Sequence, residues 1–99
     1  MTTKPHRRNL VVRLFNEQAA RCYYCGTIMT LHLGKPHTAT LDHIVPRSQG
    51  GWLCVAAGYI CNQSKSDSPA AVFMELVAAG KTKTCASVLT ALRGNYDAL

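Results

Sequence analysis

The run LDHIVPRSQGG, residues 41 to 51, followed by CNQSK, residues 61 to 65, decides how this chain is read. Residues 38 to 45, TATLDHIV, are rich in β-branched side chains, which suit a pleated strand. Pro46 ends that strand because it has no N–H to give to a ladder. RSQGG, residues 47 to 51, makes a turn or loop, and WLCVAA, residues 52 to 57, supplies a second strand. Gly58 breaks it, and a short helix begins around Cys61 and Asn62. The stretch therefore reads as a strand pair followed by a helix, with Asp42 and His43 late in the first strand and Asn62 on the helix.

Upstream, residues 7 to 20 place Leu10, Val11, Leu14 and Phe15 at helical spacing and leave Arg7, Arg8 and Arg13 to the other face. Cys22-Tyr-Tyr-Cys25-Gly26 reads as a tight turn in which two thiolates converge on one ion and glycine permits a positive φ. Residues 27 to 37 are a loop or short hairpin punctuated by Gly34 and Pro36. Downstream, Ser68 suits an N-cap and Pro69 a first helical residue for the helix AAVFMELVAA, which stops at Gly80. Residues 84 to 92 carry another apolar helical pattern, and the tail is expected to fray from Gly94. The expectation is one α+β domain over 1–99. Its core spans about residues 20–70, with flanking helices at about 7–20, 69–79 and 82–93.

A chain of 99 residues buries a modest share of its surface, so a bound metal would help hold it together. Eleven Lys and Arg against five Asp and Glu give a net charge of +6, which favours a polyanionic partner and binding that weakens with salt. No segment approaches the roughly 18 to 20 apolar residues of a membrane span. The basic residues 1 to 9 are not followed by the apolar core of a signal peptide. Five cysteines, an odd count, fit a closed disulfide framework poorly. The Cys22-x-x-Cys25 spacing is more typical of metal binding in a reducing compartment, so the expected location is cytoplasmic.

The DHIVPRSxGG run with its downstream CNxxK resembles the HNH endonucleases, over roughly residues 20 to 70. The resemblance implies a ββα-metal fold with Asp42 as metal ligand, His43 as general base and Asn62 as second metal ligand. It further implies one catalytic Mg²⁺ or Mn²⁺, a structural zinc, and double-stranded DNA as the substrate of an endonuclease or nickase acting as monomer or homodimer. Free-standing members of this family occur in phages and mobile elements. The chemistry is coherent: histidine exchanges protons near neutral pH, and a hard divalent cation takes oxygen ligands and stabilises charge on a phosphoryl group. In a regular strand Asp42 and His43 would point to opposite faces, so the pair belongs at the strand's end, as in the family. Arg47 and Gly50-Gly51 would border the site. Lys65, one helical turn after Asn62, either meets phosphate as a point charge or is an ordinary solvated lysine. Arg7, Arg8 and Arg13 are further candidates for contact with nucleic acid.

Two features depart from the family pattern. Where a second Cys-x-x-Cys is common, Gly58-Tyr-Ile-Cys61 has only one cysteine. Zinc would then be held by Cys22, Cys25 and Cys61, with Cys54 as the nearest candidate for the fourth place. His32 and His37 are also open, while Cys85 reads as a small buried hydrophobe. The middle asparagine of the family name falls at Leu53 or Cys54, neither of which offers an amide's paired donor and acceptor. The loop would be held instead by Trp52 packing or backbone contacts. A catalytically inactive zinc-binding DNA or protein-binding module is therefore the alternative to a nuclease. A redox protein built on Cys22-x-x-Cys25 lacks the expected βαβ surroundings.

Overall fold

Two short strands, β1 (Ala39–His43) and β2 (Cys54–Gly58), pair antiparallel with Ala39 opposite Gly58 and His43 opposite Cys54. The computed structural model describes residues 7–44 and 53–97. Arg47, Gly50, Gly51 and Trp52 lie outside the described residues. β1 ends at His43, and the backbone bends at Ile44, whose N–H still bonds to the Leu53 carbonyl at 2.9 Å.

The first helix, α1 (Arg7–Glu17), stops three residues short of the expected Ala20. Ala19 and Ala20 adopt φ of 52° and 65°, left-handed values that end a helix. Gln18 makes the turn worthwhile. Its amide nitrogen donates to the carbonyls of Arg21 and Ala56, and its amide oxygen accepts from the Ala56 N–H, each at 2.9 Å. One side chain thereby covers the outer edge of β2 at Ala56 as a neighbouring strand would.

The second helix, α2 (Tyr59–Lys65), follows β2 without a loop and packs on the sheet. The third, α3 (Ala70–Ala78), takes Pro69 as its N-cap, so Ser68 does not cap it as expected. A proline φ near −60° serves a helix and an extended segment equally, and only its ψ of 146° places Pro69 outside. The fourth, α4 (Cys85–Asp97), runs through Gly94 rather than fraying there. Its start is fixed by a reciprocal pair in which the Ser87 N–H bonds to Thr84 Oγ1 at 3.0 Å and the Thr84 N–H to Ser87 Oγ at 2.9 Å.

Helices lie on both sides of the sheet, giving the expected α+β arrangement. α1 packs against both strands, and α2 packs against both and against α4. The core joins Val11 of α1, Ala56 and Ala57 of β2, Cys61 of α2, Phe73 of α3 and Cys85 of α4. Among the described residues no helix is long and apolar enough to cross a membrane.

Candidate metal centre and active site

The Cys22–Cys25 turn closes on itself: the Gly26 N–H bonds to the Cys22 carbonyl at 3.0 Å, and the Cys22 N–H to the Thr27 carbonyl at 2.8 Å. Gly26 sits at φ 77°, where a side chain would be strained. This turn, the first turn of α2 and the first residue of α4 bring the sulfurs of Cys22, Cys25, Cys61 and Cys85 within 4.8 Å of one another. Cys22, Cys61 and Cys85 are buried and Cys25 is half-buried. Backbone N–H groups point at two of the sulfurs, Gly58 at Cys22 and Cys85 at Cys61, both at 3.4 Å. Such donors favour thiolate. Hydrogen bonds with Cys22, Cys61 and Cys85 hold the Cys25 thiol far below its usual range, while those with Cys22 and Cys25 push Cys61 and Cys85 up. Cys22 is raised by Cys25 but lowered more by Cys61 and Cys85 together, and settles at about 6. Four crowded sulfurs with uneven proton affinity suit a soft tetrahedral cation, whose sulfur ligands lie about 2.3 Å from the metal. The cluster can hold a metal ion such as zinc.

The fourth thiol is Cys85, not Cys54. Cys54 pairs with His43 at the opposite end of β2 from Gly58, about four residues or ~13 Å of strand away. His32 and His37 are not part of the cluster either. Room for Cys85 comes from Gly58, because a Cβ built there would overlap the Cys85 sulfur. Gly58→Ala is therefore expected to weaken zinc affinity by ~10-fold or more, read by chelator competition. Wild-type affinity in that variant would mean the sulfur can move aside at no cost.

The second cluster forms where β1 meets α2. Thr40 and Asp42 lie on one face of β1, and Asn62 and Lys65, one helical turn apart, face them. The Asn62 amide nitrogen donates to Thr40 Oγ1 at 2.9 Å and to the Leu41 carbonyl at 3.1 Å. Asp42 is 5% exposed, and both of its oxygens are engaged. Tyr24 donates its hydroxyl to Oδ2, and the Lys65 ammonium lies 3.4 Å from Oδ1. Lys65 also donates to the His43 carbonyl at 3.1 Å. Burial, and then the hydrogen bond to Asp42 and its charge, push the Tyr24 phenol well above its usual range, so Tyr24 stays protonated and donates.

Lys65 differs from both sequence expectations: at 1% exposure it is neither solvated nor turned towards a nucleic acid. The i, i+3 spacing from Asn62 is real, but the face the two share is the one packed on β1. Tyr24 was not singled out by sequence at all. The cue was its place between two metal-ligand cysteines. His43 is half-buried and closes β1, where the backbone bends away from the strand.

Beside this cluster an open cleft of about 670 Å³ runs between α1 and α2, lined by Arg8, Thr40, Tyr59, Asn62 and Gln63 among others. Exposed Arg8 therefore shares a surface with Asn62, whereas Arg13 pairs with Glu17 at 3.6 Å on the outside of α1. Asp42 lies behind the cleft rather than in its wall. Arg7 begins α1.

No family model and no solved structure matches the chain. Among curated proteins it is similar to the CRISPR-associated endonuclease Cas9 of Actinomyces naeslundii, 39% identical over 75 residues. That match takes in 69% of this chain and 6% of the relative, so the chain spans a small part of the length of a protein named an endonuclease.

Proposed function

We propose that this chain is a metal-dependent nuclease domain of HNH type that hydrolyses phosphodiester bonds in double-stranded DNA. The observation that carries the reading is the contact of Asn62, in α2, with Thr40 and the Leu41 carbonyl, the two residues of β1 just before Asp42 and His43. The similarity to a protein named an endonuclease and the net charge of +6 support it. Asp42 and Asn62 would hold one Mg²⁺ or Mn²⁺. A carboxylate and an amide oxygen, completed by water, are a hard donor set. The Lys65 ammonium on Asp42 Oδ1 shows that this carboxylate already favours a positive charge beside it. When bound, the metal supplies charge that stabilises the transferring phosphoryl group and the leaving oxygen.

His43 takes the proton from the attacking water, and its position at the end of β1 leaves it half-exposed to do so. The main chain of His43 is held from behind by Lys65, which fixes where the imidazole starts. Arg8 and the open cleft beside Asn62 would receive the sugar-phosphate backbone, a contact that orients DNA without reading its sequence. Arg47, outside the described residues, is a further candidate for contact with the phosphates.

A second reading, an inactive zinc-binding module for DNA or protein, is favoured by one observation: both oxygens of Asp42 are already engaged. Nicking of supercoiled plasmid with Mg²⁺ or Mn²⁺ separates the two. The wild type is expected to cut, and His43→Ala to cut about 10² to 10⁴ times more slowly. Plasmid left intact with every divalent metal would leave only the non-catalytic reading, and equal cutting by His43→Ala would overturn His43 as the base. The redox alternative is not supported, since the described strands pair antiparallel and not as the parallel strands of a βαβ unit.

A further inference from the structure

Tyr24 connects the two clusters. Its backbone lies inside the Cys22–Cys25 turn, and the neighbouring Tyr23 N–H ties that turn to the Ala56 carbonyl of β2 at 3.2 Å. Its ring is buried and meets Phe73 of α3 edge to face, with centroids 5.1 Å apart and planes at 86°. Its hydroxyl ends on Asp42 Oδ2. The ring has no freedom to turn, so the hydroxyl is set by the cysteine turn at one end and by Phe73 at the side.

We propose that Tyr24 is a positioning residue that aims the Asp42 carboxylate, so that the geometry of the cysteine turn is passed to the divalent-metal ligand of the nuclease site. The inference rests on the reading of Asp42 as that ligand. Of the two groups on Asp42, the Lys65 ammonium would be the one to yield to a divalent cation at Oδ1, because like charges repel and the neutral phenol carries no charge. The Tyr24 hydroxyl occupies Oδ2 and stays, holding the carboxylate in one rotamer while Oδ1 changes partners. A carboxylate ligand fixed by an outer hydrogen bond binds its metal more tightly than one free to rotate. Phenylalanine at this place would keep the ring packing and lose the aim.

The test is Mn²⁺ binding to the zinc-loaded full chain, followed by the electron paramagnetic resonance signal of free Mn²⁺. Mn²⁺ prefers oxygen ligands and does not compete for the four thiols. Tyr24→Phe is expected to bind Mn²⁺ ~10 to 100 times more weakly at full zinc content. In cleavage it should need more metal for half-maximal rate, with a smaller change at saturating metal. Thr38→Val removes the two hydrogen bonds that Thr38 Oγ1 makes with Lys35 and His32 ahead of β1, and should leave Mn²⁺ affinity unchanged. Unchanged Mn²⁺ affinity in Tyr24→Phe overturns the inference. An equal loss in Thr38→Val overturns it too, by showing general destabilisation. Asp42→Ala separates the two levels: if it binds Mn²⁺ as the wild type does, the assignment of Asp42 fails and this inference falls with it. If Asp42→Ala loses the ion while Tyr24→Phe keeps it, only the role of Tyr24 is wrong.

Discussion

Cys85→Ser will strip the protein of zinc and remove most of its stability. The four thiols draw on three separate parts of the chain: the turn after α1, the start of α2 and the start of α4. Without a metal these parts share a small core, in which many buried residues are alanine or cysteine and Phe73 is the one fully buried aromatic among the described residues. Structural zinc sites contribute an apparent ~10 to 16 kcal/mol at neutral pH. Whole domains are stable by only about 5 to 15 kcal/mol. Chelation of the metal is therefore expected to unfold the chain, and loss of one ligand of four to take a large part of the same energy. Zinc content by atomic emission, together with thermal melting by far-ultraviolet circular dichroism, checks this. Cys54→Ser is the comparison and should keep its zinc, since Cys54 sits at the far end of β2. Equal zinc loss in both variants would remove Cys85 from its place as the fourth ligand.

The reason Cys85 was not legible in sequence is physical. Cys22-x-x-Cys25-Gly26 announces itself because a local turn must be tight and needs a glycine at positive φ. Cys61 follows from its neighbour Asn62 in a recognisable run. Cys85 lies on another helix, and only the tertiary docking of α4 on α2 delivers it. Gly58 reads as a strand breaker, and β2 does end there; its φ of −64° is ordinary, and what it also provides is space for a sulfur. The strand–strand–helix order is legible because a β-branched run and a breaking glycine have short-range causes. Lys65 shows the limit of periodicity. Helical spacing placed it on the face of Asn62, but amphipathic pattern alone does not say that this face is covered, and a lysine there reads as solvated until its carboxylate partner is seen. Gln18 is similar, since nothing local indicates that a glutamine after a helix will satisfy a strand 38 residues on.

Lys65→Met is expected to destabilise the zinc-loaded protein by about 3 to 5 kcal/mol, because it leaves a buried carboxylate without its counter-charge. The side chains of Lys65 and Asp42 are 1% and 6% exposed, so solvent cannot take over the role of the ammonium. The Tyr24 hydroxyl remains on Oδ2, but one neutral donor does not offset the cost of a charge out of water. The same substitution also strips the His43 carbonyl of its 3.1 Å donor, at the residue assigned as base. Methionine keeps most of the length of the stem, which isolates the charge from the packing. For a chain near 100 residues, 1 kcal/mol corresponds to roughly 4 to 8 °C, so the melting temperature should fall by well over 10 °C. An exposed lysine would give a change within about 0.5 kcal/mol, and a shift that small would return Lys65 to the solvated class. The sharper measurement is the cycle with Asp42→Asn. Once the carboxylate is neutral, Lys65→Met should cost much less than it does in the wild type, and the difference between the two costs is the coupling between these side chains. Simple additivity would mean that the pair does not interact, and Asp42 would then need another cation to hold its charge inside the fold.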